Sequence, residues 1–196
     1  MITRRSLLAS LAAVPLSPLV TARTAIATPV STGGLRAFPN VPLVTQHNRR
    51  VLFYDDLVRG KTVVFSFFYT RCEGICPATT ANLVKVQALL GERLGREIFM
   101  YSISLKPRED TPRALKEYAA EYGIRPGWTL LTGRPDDCER LRRKLGFVDP
   151  DPRVDADTSQ HIGVIVYGNE LLDRWSACPA ETEPGEIVKY ISWVEA

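Results

Sequence analysis

Several common sequence signals are missing from this 196-residue chain, and together they restrict the class of protein. There is no internal repeat and no low-complexity tract, and 45% hydrophobic with 24% charged residues is ordinary for one globular domain. No basic stripe is interleaved with aromatic residues, so nothing indicates a nucleic-acid partner. No uninterrupted apolar run reaches the ~20 residues that a membrane-spanning helix needs. The net charge of +3 arises at the N-terminus, which holds three of the 25 basic residues and no acid.

Residues 1–27 are typical of an export signal. A basic start containing Arg4 and Arg5 precedes an apolar stretch that two prolines interrupt, and a small-x-small cleavage pattern ends at Ala27. The paired arginines, followed by Ser-Leu-Leu, resemble a twin-arginine signal. An ordinary secretory signal and an uncleaved N-terminal anchor are the alternatives.

Beyond this signal, the chain divides into a short linker and one domain. Residues 28–40 are rich in Pro, Gly, Ser and Thr and predict a linker, whereas residues 41–196 predict a folded domain. Either export route places the mature protein in an oxidising compartment, for which the expectation is the periplasm, with membrane association left open.

Two cysteines follow the most apolar stretch of the domain. Residues 62–69 are almost unbroken apolar, β-branched and aromatic, which predicts a strand covered on both faces. Cys72 and Cys76 come next, and Pro77 suits the first position of a helix. A helix N-terminus favours thiolate over thiol. Residues four apart on one helical turn share a face, and Cα atoms roughly 6 Å apart allow a disulfide, a redox pair or a two-sulfur metal clamp.

The order of predicted elements indicates a layered α/β domain. A hairpin over residues 41–57, turned at 47–49, precedes strands at 62–69, 98–105 and 128–131 that alternate with helices at 78–94, 112–122 and 135–145. A long acidic loop at 147–160, a hairpin turned by Gly168 and Asn169, and a helix at 184–194 complete the chain. The expected fold is thioredoxin-like, with a central mixed sheet flanked by helices, an N-terminal hairpin and a late hairpin.

The remaining candidates are one histidine and two cysteines. His161 directly precedes an apolar strand, and loops at strand ends gather at one edge of an α/β sheet, so it is expected near the cysteine pair. An ordinary strand-entry histidine is the alternative. Cys138 is expected to be a buried inert thiol. A Cys138–Cys178 bridge and a resolving role for Cys178 stay open, and His47 is expected to be a solvated turn residue.

In its cysteine segment, in the segment around residues 102–123 and in the late histidine, the sequence resembles the Sco/SenC family of copper-binding assembly proteins. The resemblance is carried by FSFFYTRCEGICPATTANL, by SISLKPREDTPRALKEYAAEYG and by the late His161. It implies a thioredoxin-like domain that binds copper, as Cu(I) or Cu(II), through Cys72, Cys76 and His161. It further implies a periplasmic chaperone that serves the binuclear copper centre of cytochrome c oxidase or another cuproprotein. Other copper chaperones would be its further partners.

Two enzyme classes are the alternatives to a chaperone. Cys72 and Cys76 could be the redox-active thiols of a thiol–disulfide oxidoreductase that reduces the cysteines of a cuproprotein. General redox proteins use Cys-x2-Cys, however, and no proline stands immediately before the strand at Ile162. The Thr70-Arg71-Cys72 sequence also loosely matches a thiol peroxidase, although the typical spacing there is Thr-x2-Cys.

Overall fold

The computed structural model describes residues 38–157 and 163–196, and the predicted signal 1–27 and nearly all of the linker 28–40 lie outside them. The seven strands are β1 Pro42–Thr45, β2 Arg50–Leu52, β3 Thr62–Phe68, β4 Ile98–Ser104, β5 Trp128–Gly133, β6 Val164–Asn169 and β7 Arg174–Pro179. The α-helices are α1 Cys76–Leu90, α2 Pro112–Glu121, α3 Pro135–Lys144, α4 Pro152–Asp155 and α5 Pro184–Glu195.

All seven strands form one mixed sheet in the order β2-β1-β5-β4-β3-β6-β7. The three strands joined by helical crossovers, β3, β4 and β5, pair in parallel, and every other pairing is antiparallel. Strand β3 lies between β4 and β6, and all seven of its residues are buried. This placement explains its unbroken apolar sequence, because helices cover both faces of the sheet at this strand.

The sheet separates two hydrophobic clusters. On one face α1, α2 and α5 pack through residues such as Leu83, Leu115 and Ile191. On the other face α3 packs through Leu141, together with a π-helical segment, Phe53–Val58. Successive side chains of β3 therefore point to opposite faces of the sheet. Val64 and Phe68 face the first cluster, whereas Val63, Phe65 and Phe67 face the second.

Two helix boundaries follow from local sequence signals. The Thr111 side chain accepts a hydrogen bond from the Ala114 backbone N–H, which caps α2, and Pro112 occupies its first turn. Gly123 and Gly146, just beyond α2 and α3, have φ angles of +68° and +84°, a conformation that favours glycine.

Three local predictions need correction. The second strand of the N-terminal hairpin ends at Leu52, and the chain continues as the π-helical segment. The late hairpin turns at residues 170–173, so Gly168 and Asn169 lie within β6. The Trp175 ring covers Gly168, where a Cβ would lie 2.2 Å from a ring carbon, so the glycine is needed for cross-strand packing and not for a turn. The acidic loop contains the short helix α4.

Within the described ranges, no helix combines the length and the hydropathy that crossing a bilayer would require.

Candidate metal centre

The cysteine loop, residues 69–75, is fixed where β3 ends. The carboxylate of Asp110 accepts hydrogen bonds from the Thr70 backbone N–H at 3.1 Å and from the Thr70 hydroxyl at 2.6 Å. Its second oxygen accepts from the Ser104 hydroxyl at 2.5 Å, at the end of the neighbouring strand β4. Asp110 is 1% exposed. A buried charge is tolerated when several donors satisfy it, as they do here. The Asp110 carboxylate therefore links the ends of β3 and β4 to the start of α2, and it holds the chain at Thr70, two residues before Cys72.

The two cysteines occupy different local structures. Cys72 lies in the loop, whereas Cys76 is the first residue of α1 and Pro77 the second. The expectation that both stand on one helical turn, with Pro77 first, is therefore wrong, since the chain becomes helical only at Cys76. Both side chains are nevertheless buried in one cluster at the N-terminus of α1, with 8% of Cys72 and 1% of Cys76 exposed.

The two sulfur atoms are inequivalent. Burial opposes ionisation of Cys72, but hydrogen bonds from the Cys76 thiol, the Cys76 backbone N–H, the Tyr69 hydroxyl and the Gly74 backbone N–H outweigh it and lower its pKa. Burial raises the pKa of Cys76 strongly, and its hydrogen bond to Cys72 adds to this effect. The Cys76 thiol donates to Cys72, so Cys72 is the sulfur that loses its proton more readily and Cys76 the one that keeps it.

Tyr69 contacts Cys72 through its hydroxyl and Lys106 through its ring. Its hydrogen bond to Cys72, followed by burial, raises the pKa of its hydroxyl to about 12, so the hydroxyl stays a donor at neutral pH. The Lys106 ammonium lies over the Tyr69 ring, 4.2 Å from the ring centroid. Together these groups place a donor hydroxyl beside Cys72 and a positive charge over the ring that carries this hydroxyl.

The inequivalence of the thiols predicts their order of reaction. Because the pKa of Cys72 is lowered, its thiolate persists at lower pH than that of an ordinary cysteine, and we expect iodoacetamide to label it first. Peptide mapping by mass spectrometry at increasing pH measures this order. Tyr69→Phe removes one donor and should move the Cys72 labelling midpoint to higher pH. Equal labelling of Cys72 and Cys138 in the folded protein would contradict the assignment.

His161 lies outside the described residues, but the chain on both sides of it approaches the cysteine loop. The negative charge of Asp157 makes a small contribution to the raised pKa of Tyr69, so this carboxylate lies within electrostatic range of that hydroxyl. On the other side, a Cβ added at Gly163 would lie 2.2 Å from the Ile75 Cδ1 atom, so the Gly163 backbone packs against the residue that precedes Cys76.

The other residues singled out from the sequence, Cys138, Cys178 and His47, lie in different parts of the domain. Cys138 and Cys178 belong to the clusters on opposite faces of the sheet, which excludes a bridge between them in this fold. All four cysteines are thiols without a disulfide. Burial raises the pKa of Cys138 to about 12, as expected of an inert thiol. Cys178 shares the face of the Cys72–Cys76 pair, and His47 is exposed at its turn as expected.

Sequence reasoning missed the supports of the site. Asp110 was visible only as part of a helix-opening motif, and Tyr69 only as the end of an apolar run. Asp110 bonds to Thr70, 40 residues earlier in the chain, and Tyr69 bonds to Cys72, three residues later. No local sequence pattern encodes the contact that spans 40 residues. Within the described ranges, no three His, Cys, Asp or Glu side chains form a metal-binding group.

A mixed sheet with helices on both faces and a dithiol between a central strand and a helix N-terminus defines a thioredoxin-like dithiol protein. The family model described as SCO1/SenC matches residues 42–191, and the chain belongs to that family. Both the predicted fold and the predicted family are therefore confirmed.

Comparisons with individual proteins agree with this assignment. A Stutzerimonas stutzeri protein to which copper binding has been ascribed is 31% identical over 112 residues, which cover 57% of this chain and 53% of that relative's length. The structure of Bradyrhizobium japonicum ScoI with copper bound matches with a TM-score of 0.62 and 22% identity, over 80% of this chain and 99% of that one. BsSco, described as having a disulfide switch and as a member of the Sco family of cytochrome c oxidase assembly proteins, matches with a TM-score of 0.64 and 21% identity, over 81% and 94%.

Proposed function

We propose that this protein is an exported, periplasmic copper chaperone that binds one copper ion through Cys72, Cys76 and His161. The observation that carries the proposal is the hydrogen-bonded sulfur pair, with Gly163, two residues after His161, packed against Ile75 of the same loop. Thiolates are soft ligands that favour Cu(I), and an imidazole helps to hold Cu(II), so this donor set suits copper in either state. The copper ascribed to the Stutzerimonas relative and bound in the Bradyrhizobium structure supports this choice of metal.

The residues around the sulfurs have distinct tasks in copper capture. The Cys72 thiolate is the first sulfur available, and Cys76 must lose its proton as the second bond forms, so loading releases a proton. The Tyr69 hydroxyl donates to Cys72 and limits the negative charge that this sulfur presents. Asp110 holds the loop, so that both sulfurs stay at the N-terminus of α1 while the ion is exchanged.

The recipient that this site supports best is another copper protein with cysteine ligands. The description of BsSco as a cytochrome c oxidase assembly protein favours the oxidase subunit that carries the binuclear copper centre, and a related cuproprotein is the second choice. Other copper chaperones would supply the ion. Export by the segment 1–27 would bring the protein to that recipient.

Metal analysis after reconstitution under reducing conditions tests the proposal. We expect about one copper per chain for the wild type, bound by two sulfurs and one nitrogen. The triple variant Cys72→Ala, Cys76→Ala, His161→Ala should bind none, and stoichiometric copper in that variant would disprove the site. His161→Ala alone should weaken Cu(II) more than Cu(I) because the imidazole stabilises the oxidised ion.

A thiol–disulfide reductase is a second candidate, which the inequivalent sulfurs favour. The Cys72 thiolate would attack a disulfide of the recipient and form a mixed disulfide, displacing one recipient thiolate. Cys76, after losing its proton, would then attack Cys72, releasing the second recipient thiolate and leaving a Cys72–Cys76 disulfide. Recipient reduction that needs both cysteines and is indifferent to His161→Ala would identify this role. The disulfide switch described for BsSco is consistent with it.

A further inference from the structure

Strand β7 forms one edge of the sheet, and its outer side is unpaired within the described part of the chain. It extends over six residues, Arg174–Pro179, whereas β2 at the opposite edge has only three. Most of the β7 residues are exposed. A long exposed edge favours pairing with another chain, because its outward backbone N–H and C=O groups lack partners. Strand β7 is therefore the position at which this sheet can be extended.

The register of the late hairpin determines which backbone groups of β7 point outward. The Ala180 N–H, directly after β7, donates to the Gly163 carbonyl at 2.8 Å, so it points towards β6. In an antiparallel pair, successive residues direct their backbone groups to alternate sides. Every second residue before Ala180 therefore bonds to β6, and the residues between them face outward, namely Trp175, Ala177 and Pro179. Since proline has no N–H, the outward donors are those of Trp175 and Ala177.

A cleft of about 530 Å³ lies beside these outward-facing residues. It is on the face of the sheet that α3 covers, and side chains of β6, β7 and the end of α3 line it, among them Val164, Val166, Trp175, Ala177 and Leu145. The Trp175 ring is held in place, because it covers Gly168 and packs on the Phe38 ring at a centroid distance of 4.9 Å. The cleft is therefore a largely apolar groove beside the free edge.

The edge and the cleft fit the same occupant. A strand that pairs with Trp175 and Ala177 directs the side chains of its paired residues to the same face as theirs, and so into the cleft. Lys144 also lines the cleft and is exposed. Within the described ranges, the ion pairs of α3 involve Arg142 and Arg143 but not Lys144. An acidic side chain on the added strand would therefore find a cation that is not already paired.

We infer that the outer edge of β7 is a docking site for an extended segment of a partner protein, which adds to the sheet as a further strand. The segment places apolar side chains in the cleft and an acidic side chain beside Lys144. A polypeptide backbone supplies donors and acceptors at the spacing of a strand edge, and the pocket beside the edge supplies specificity. The inference goes beyond the proposed copper chemistry, because β7 contributes none of the proposed copper ligands.

Selection from a phage-displayed library of random linear peptides, with the full chain as target, tests this site. We expect the enriched peptides to alternate apolar and polar residues and to contain an acidic residue. Ala177→Lys should weaken their binding by about tenfold or more, because it fills the cleft and adds a second positive charge near Lys144. Ala177 is exposed, so the variant should fold. The matched control Ser176→Lys adds the same charge on the opposite face of β7 and should leave the affinity unchanged.

Amide hydrogen exchange, followed by nuclear magnetic resonance, provides a second readout. A bound peptide should slow exchange at Trp175 and Ala177, whose N–H groups point outward. The amides of Ser176 and Cys178 already bond to β6, so their exchange should stay unchanged.

The outcomes separate the possible occupants. If no peptide is enriched over a parallel selection on Ala177→Lys, or if Ser176→Lys weakens binding equally, the docking site is wrong. If the Trp175 and Ala177 amides are protected without peptide, and Ala177→Lys converts a dimer into a monomer, a second copy of the chain occupies the edge and the partner segment is wrong. None of these measurements involves copper, so their failure leaves the chaperone proposal intact.

Discussion

Cys76→Ser is expected to reduce copper affinity by at least the ~100-fold that marks the upper range for loss of an outer-shell partner, because here a direct ligand is removed. Serine keeps the size and the hydrogen-bonding capacity of the side chain but replaces a soft sulfur with a hard oxygen, which Cu(I) binds poorly. Competition with a Cu(I) chelator measures the change. Cys76 is 1% exposed at the start of α1, so water cannot readily reach the ion there and replace the missing sulfur ligand.

The matched control for this substitution is Cys138→Ser. Cys138 is 3% exposed and lies on the opposite face of the sheet, away from the sulfur pair. Both variants place a hydroxyl in a buried site, so any general loss of stability is similar, whereas copper should be lost only from Cys76→Ser. Equal retention of copper by the two variants would remove Cys76 from the ligand set.

Asp110→Ala is expected to lower the free energy of unfolding by roughly 2–4 kcal/mol, because it leaves the half-buried donors of Thr70 and the buried hydroxyl of Ser104 without this acceptor. Urea denaturation measures the loss. We also expect faster alkylation of Cys72, since the start of the cysteine loop is no longer fixed. A labelling rate that does not change would show that the loop is held by α1 alone.

Two further substitutions separate charge from geometry at this position. Asp110→Asn retains an acceptor for Thr70 and should cost only about 1 kcal/mol, the difference between a charged and a neutral hydrogen-bonding partner. Glu121→Ala removes an exposed acid from the other end of α2 and should be nearly neutral. If Asp110→Asn is as damaging as Asp110→Ala, the negative charge itself is what the loop requires.

Much of the fold was readable from local patterns. The apolar run over residues 62–69, the cap at Thr111 and the glycine after α2 each report a local preference, and the structure contains the corresponding elements. The errors occurred where packing overrode such preferences. Gly168 suggested a turn, yet it lies within β6 because the Trp175 ring needs the space above it.

The candidate site was only partly readable in the same way. The sequence indicated Cys72 and Cys76, since a dithiol between a buried strand and a helix is a local arrangement. It indicated His161 by its position directly before an apolar strand and through a resemblance. His161 lies outside the described residues, so its coordination stays a prediction. The bridge considered between Cys138 and Cys178 is wrong, because strand order and pleating place them on opposite faces.

By itself, the sequence determined the family, the α/β class and the chemistry of the sulfur pair, because periodicity, capping residues and the spacing of the cysteines are local properties of the chain. The tertiary structure alone decided which sulfur has the lower pKa, through the Tyr69 hydroxyl and the turn that precedes α1. It also decided which distant group supports the site, namely Asp110, whose carboxylate holds the start of the cysteine loop. Hydrogen bonds and burial depend on residues far apart in sequence, and these contacts exist only after the sheet has formed.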